Sequence, residues 1–113
     1  MEERLRRGLE LFNEGRFFES HEVLEEAWMP EQGPRRLFLQ GIIHAAVAFH
    51  HLERGNLSGA RRQLQKGLDK LETFVPACEG VETGRLFHDI IACLEQIDRG
   101  ENIKPCRIGY QPG

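Results

Sequence analysis

Apolar residues recur at intervals of three and four along almost the whole chain. This spacing matches the 3.6-residue period of an α-helix, and no stretch alternates at period two for long enough to indicate a strand. The pattern therefore predicts an all-α fold. We expect about five helices arranged in antiparallel hairpins.

Proline, asparagine and glycine residues mark where the predicted helices begin and end. The helices are expected at about residues 2–13, 17–29, 34–54, 57–74 and 83–99. Gly15 can adopt the left-handed conformation that ends a helix, and Pro34 suits a first helical turn. Asn56 is a good N-cap for the fourth helix.

The third predicted helix is apolar nearly all round, whereas its neighbours each have one apolar face. A helix of this kind is buried on several sides, which makes it the centre of the bundle. The 113 residues fit one domain, 1–113, with an extended tail from about residue 101. Ile103, Ile108 or Tyr110 would hold that tail against the bundle.

Two segments of the chain resemble each other at an offset of 40 residues. Residues 15–24 and 55–64 both begin with a turn glycine, have an apolar residue two positions on and carry a small residue at Ser20 or Ala60. A small residue lets the partner helix of a hairpin approach closely. The pattern is typical of tetratricopeptide-like helical hairpins.

Charge and composition exclude several classes of function. A net charge of −3 argues against a nucleic-acid partner. The N-terminal residues lack the apolar stretch of a signal peptide, so we expect no export. The longest apolar run, residues 42–49, is too short to cross a bilayer, so we expect no membrane partner. Three cysteines without a C-x-x-C pair suit a reducing compartment, and we expect a cytoplasmic protein.

The segment FFESHEVLEEAW, residues 17–28, carries the most distinctive chemistry in the sequence. His21 and Glu25 are four residues apart and therefore point the same way from the second helix, at the edge of its buried face. Trp28 lies one turn further on, either as a core residue with its indole N–H bonded near Pro30 or as one wall of a ligand pocket.

A polar stripe follows the otherwise apolar third helix at Arg36, Gln40, His44 and His51. It faces either water or the second helix; in the second case it opposes His21 and Glu25 across a small polar cavity. Burying the Glu25 charge alone would cost several kcal/mol, so the inward arrangement requires a partner for it: Arg36, a protonated histidine or a divalent metal ion. The full set of candidate pocket residues is His21, Glu22, Glu25, Trp28, Arg36, Gln40, His44 and His51.

Four motifs give the chain a family resemblance: FNEGRFFESHEVLEEAW, RLFLQG, AVAFHH and GNLSGA, over roughly residues 9–71. With them the chain resembles a small prokaryotic family known as domain of unknown function number 309. The resemblance implies a compact helical bundle in the cytoplasm and brings no activity with it. The motif blocks contain His21, Glu22, Glu25, Trp28, Arg36, Gln40 and His51.

Two main functional hypotheses follow, and whether the chain is an enzyme stays open between them. The first is a binding module that holds a peptide, protein or small molecule in a polar His/Glu pocket. The alternative is a metal-dependent hydrolase with a site between helices two and three, where His21 and Glu25 with His44 or His51 bind a divalent metal and Glu22 acts as base. A third hypothesis is that the chain is a structural subunit that forms a homo-oligomer through its fourth or fifth helix.

Overall fold

Five α-helices make up most of the chain in a computed structural model that describes residues 1–111. The last two residues of the predicted domain, Pro112 and Gly113, lie outside the described residues. The helices are α1 (Glu3–Asn13), α2 (Phe17–Trp28), α3 (Pro34–Glu53), α4 (Leu57–Leu71) and α5 (Thr83–Asp98). A 3-10 turn, Glu72–Phe74, follows α4, whereas the sequence pattern placed these residues in the helix itself. The predicted all-α class is confirmed.

The residues that punctuate the sequence act where they were predicted to act. Gly15 and Gly55, in the turns before α2 and α4, have φ angles of 80° and 75°, which favour glycine. Pro34 is the first residue of α3. The backbone N–H of Gly59 donates to Asn56 Oδ1 over 2.9 Å, which caps α4. Short turns therefore join α1 to α2 and α3 to α4 as antiparallel neighbours.

Helix α3 lies at the centre of the bundle, with α2 packed on one side and α4 on the other. Three phenylalanine rings, Phe12, Phe17 and Phe49, join α1, α2 and α3, with ring centroids 5.1 to 5.8 Å apart. None of the helices in residues 1–111 combines the length and apolar character that crossing a membrane requires.

Small residues allow close helix packing in both hairpins. A Cβ atom added at Gly41 of α3 would lie 2.6 Å from Leu71 Cγ of α4, which is closer than real contacts allow. In the α1–α2 hairpin, the buried Ser20 hydroxyl donates to the carbonyl of Gly8 over 2.8 Å. The hairpins are present, and the more detailed likeness to tetratricopeptide repeats stays a prediction.

The C-terminal tail runs back across the bundle without forming a helix. Asn13 holds it through two hydrogen bonds, because Nδ2 donates to the carbonyl of Ile108 over 2.9 Å and Oδ1 accepts from its N–H over 2.8 Å. The Ile108 side chain is only 2% exposed. Tyr110 forms an isolated antiparallel bridge with Val81. The tail is therefore fixed between the end of α1 and the loop that precedes α5.

We predict that Asn13→Ala lowers the free energy of unfolding by about 1–3 kcal/mol, because it removes both side-chain hydrogen bonds to Ile108. Urea denaturation measures the change, and hydrogen exchange at the Ile108 amide should become faster. The control is Asn102→Ala, at an exposed asparagine in the same tail, which should change the free energy of unfolding little. Equal effects of the two substitutions would contradict the assignment of Asn13 as the anchor.

Candidate functional site

A small cavity of about 220 Å³ opens where α2, α3 and α4 meet. Helix α2 contributes His21, Glu25 and Trp28 to its lining, and α3 contributes Gln40 and His44. Two apolar residues of α3, Ile43 and Val47, complete the wall on that side, and Gln63 of α4 closes the third side. Five of the eight predicted pocket residues thus surround one cavity, and Gln40 and His44 of the polar stripe of α3 face this cavity.

His21 and Glu25 form a hydrogen-bonded pair on α2. His21 Nε2 lies 2.9 Å from Glu25 Oε1, one helical turn away. The Glu25 side chain is 46% exposed and that of His21 is 24% exposed. The carboxylate therefore keeps contact with water and has a partner on its own helix, so the fold does not require a metal ion or Arg36 to compensate its charge.

His44 and Gln63 connect α3 to α4 across the cavity. His44 Nδ1 lies 2.8 Å from Gln63 Oε1 and donates a hydrogen bond to it. The other nitrogen of the neutral ring, Nε2, is then free to accept one. Burial lowers the pKa of His44, and the charges of Lys66 and Lys70 act in the same direction, although the bond to Gln63 opposes them. The imidazole is therefore neutral near pH 7.

Trp28 forms one wall of the cavity and also contacts a cation. The guanidinium carbon of Arg36 lies 3.8 Å from the centre of the indole ring, within the range of a cation–π interaction. Arg36 Nη1 also donates to the carbonyl of Glu31 over 3.1 Å. The expected indole hydrogen bond near Pro30 is wrong, because Trp28 Nε1 is buried and has no acceptor within residues 1–111.

Gln63 is the site residue that the sequence pattern did not reveal. It lies on α4 directly before Leu64, and the polar residues of that helix read as a solvated face. Only the pairing of α4 with α3 brings its amide to His44. Its sequence position, at the edge of the apolar stripe, is the one signal that could have marked it as partly buried.

The remaining candidates lie elsewhere. His51 is at the α3–α4 turn, where its Nδ1 accepts a hydrogen bond from the Asn56 amide over 3.1 Å, and Glu22 is exposed on α2. Neither residue lines the cavity. Within the described part of the chain, no group of three or more histidine, cysteine, aspartate or glutamate residues is placed to hold a metal ion. The hypothesis of a metal bound by His21, Glu25 and His51 therefore gains no support from the geometry.

Comparison with known proteins extends the resemblance seen in the motifs. A family model described as a domain of unknown function (DUF309) matches residues 5–63, which include every cavity residue named above. The chain is 35% identical over 85 residues to the uncharacterized protein YpuF of Bacillus subtilis (strain 168), covering 73% of this chain and 49% of that protein. It is 28% identical over 87 residues to an uncharacterized protein of Aquifex aeolicus (strain VF5), covering 76% and 25%. The chain thus matches about half of one curated relative and a quarter of the other.

We predict that His44 makes stability depend on pH. Its pKa is lowered in the folded chain, so the unfolded chain binds the proton more readily. The stability contributed by the neutral imidazole is therefore present above about pH 6.5 and is lost as the pH falls below that value. Between about pH 7.5 and 5.5, the free energy of unfolding should fall less steeply for His44→Gln than for the unsubstituted chain.

The control for this measurement is His88→Gln, at an exposed histidine of α5. Urea denaturation of this variant across the same pH range should follow the unsubstituted chain. If His44→Gln and the unsubstituted chain had parallel pH profiles, the burial of a neutral His44 would be contradicted.

Proposed function

We propose that this chain, which belongs to the family described as a domain of unknown function (DUF309), is a non-catalytic binding module. Its α2–α3–α4 cavity would hold the polar group of a ligand. The observation that carries the proposal is the convergence of hydrogen-bonding side chains from three helices beside the Trp28 ring and two aliphatic side chains. Ligand sites characteristically combine an apolar or aromatic wall with a few fixed polar groups.

The size of the cavity limits what can enter it. A volume of about 220 Å³ corresponds to about seven water molecules at the density of the liquid. This space accommodates one side chain of a peptide or protein, or one end of a small molecule. A larger ligand would have to extend out of the cavity over the neighbouring surface.

The lining favours a neutral or cationic group that both donates and accepts hydrogen bonds. Glu25 and Nε2 of His44 offer acceptors. The side-chain amide of Gln40 forms no hydrogen bond with any of residues 1–111. The Glu25 carboxylate disfavours an anion in the same space. An amide, a hydroxyl or an amine therefore fits the cavity best.

The positions of two residues favour binding over hydrolysis as the role of the site. The residue suggested as catalytic base, Glu22, is exposed and does not line the cavity, and the suggested metal ligand His51 is occupied at the α3–α4 turn. A cytoplasmic location belongs to the same proposal. It is supported by three free thiols, at Cys78, Cys93 and Cys106, which suit a reducing compartment.

Trp28 is the only tryptophan of the chain, so its indole N–H signal in an NMR spectrum reports on this cavity alone. We predict that fragments carrying an amide, hydroxyl or amine shift this signal saturably. Gln63→Leu should weaken that binding by about two- to tenfold, because it removes a hydrogen-bonding group from the wall and releases His44.

Gln65→Leu, an exposed position on the same helix, is the matched control and should leave fragment affinity unchanged. The proposal fails if no fragment shifts the indole signal. It also fails if the two glutamine variants bind every fragment as well as the unsubstituted chain does.

A further inference from the structure

A second and larger cavity, of about 620 Å³, lies between α5 and the C-terminal tail. It shares no lining residue with the α2–α3–α4 cavity. Apart from Asn13, which holds the tail in place, its lining lies outside the segment matched by the family model. Its volume falls within the range of about 300–1,000 Å³ that is typical of small-molecule sites.

Positive charge dominates the lining of this cavity. Arg85 comes from α5, and Lys104 and Arg107 come from the tail. Across residues 1–111, none of these three cations has a carboxylate oxygen within 4.0 Å. Asp89 is the single acidic residue of the lining, so the cavity carries a formal charge of +2 in a chain whose net charge is −3.

The lining also contains apolar groups. Ile108 is buried against it, and the thiols of Cys93 and Cys106 contribute to the wall alongside the polar Asn13 and Gln96. Burial raises the pKa of both thiols, that of Cys106 to about 12, so they are neutral and do not act as nucleophiles. A low-dielectric wall beside the three cations strengthens their attraction for an anion.

We infer that this cavity binds a phosphate monoester of nucleotide or sugar-phosphate size. Arg85, Lys104 and Arg107 would bind the phosphate, whose two negative charges match the net charge of the lining. Asp89 would accept hydrogen bonds from hydroxyl or amino groups of the ligand, and the apolar wall would contact its carbon framework. Arginine supports this assignment because its planar fork of donors fits phosphate oxygens.

The test is an NMR titration of the ¹⁵N-labelled chain at an ionic strength of about 0.15 M, where non-specific attraction is screened. The probes are adenosine 5′-monophosphate, glucose 6-phosphate, adenosine and inorganic phosphate, and a short oligonucleotide and an anionic lipid vesicle are titrated for comparison. We expect saturable shifts confined to amides of α5 and the tail, and binding of at least one ester at least about tenfold tighter than binding of adenosine or inorganic phosphate. The tighter ester identifies the kind of framework that the apolar wall accepts.

A pair of double variants separates the cavity from general surface charge. Arg85→Ala/Arg107→Ala removes two cations of the lining, and both are exposed, so the fold should persist. We expect this variant to lose at least about tenfold in affinity for the ester. Arg54→Ala/Arg62→Ala removes the same charge from exposed positions outside the cavity and should bind as the unsubstituted chain does.

Three results would overturn the inference. The first is that neither ester binds saturably. The second is that the two double variants lose the same affinity for the ester. The third is binding of an oligonucleotide or an anionic lipid vesicle in place of the small esters, which would assign the cations to a macromolecular surface.

Discussion

Burial of α3 is the constraint from which the rest of this structure follows. Its apolar residues point in nearly every direction, so the helix is stable only when other helices cover it on more than one side. Each large apolar side chain that becomes fully buried stabilises the fold by about 1.5–3 kcal/mol. Helices α2 and α4 provide the cover, and Gly41 allows α4 to approach closely. The short turns before α2 and α4 then fix the antiparallel order of the hairpins.

The polar residues of α3 are placed by the same constraint. A helix covered on two sides has no broad solvated face, so Gln40 and His44 lie along the seams between helices. Partial burial disfavours the charged form of His44, and the hydrogen bond to Gln63 satisfies one of its ring nitrogens. Across the seam, His21 and Glu25 satisfy each other while staying partly exposed. The cavity between them is a consequence of keeping these groups at the edge of the core.

The two cavities differ in charge and in how they are built. One carries a carboxylate at Glu25 and is lined by residues that the family model covers. The other carries three cations and depends on α5 and the tail. This separation allows two different ligand chemistries on one small bundle. Asn13 links the regions, because it ends α1 and holds the tail that closes the cationic cavity.

The sequence by itself determined the helices, their order and most of their ends; the end of α4 is the exception, because Glu72–Phe74 form a 3-10 turn. Gly15, Pro34 and Asn56 act through local geometry, and the apolar residues on nearly every face of α3 require a central position, so these features could be inferred before any contact between helices was known. The sequence also indicated that His21 and Glu25 share a side of α2, because residues four apart in a helix are neighbours.

Only the tertiary structure decided which residues of different helices meet. The relative register of α3 and α4 brings Gln63 to His44 and leaves His51 at the turn with Asn56, and no local pattern encodes that register. The fold of the tail likewise set the cationic cavity, because it brings Lys104 and Arg107 into the same lining as Arg85 of α5, and Asn13 holds that tail at Ile108. Spacing along a helix predicts neighbours on that helix, whereas contacts between helices depend on how whole surfaces pack.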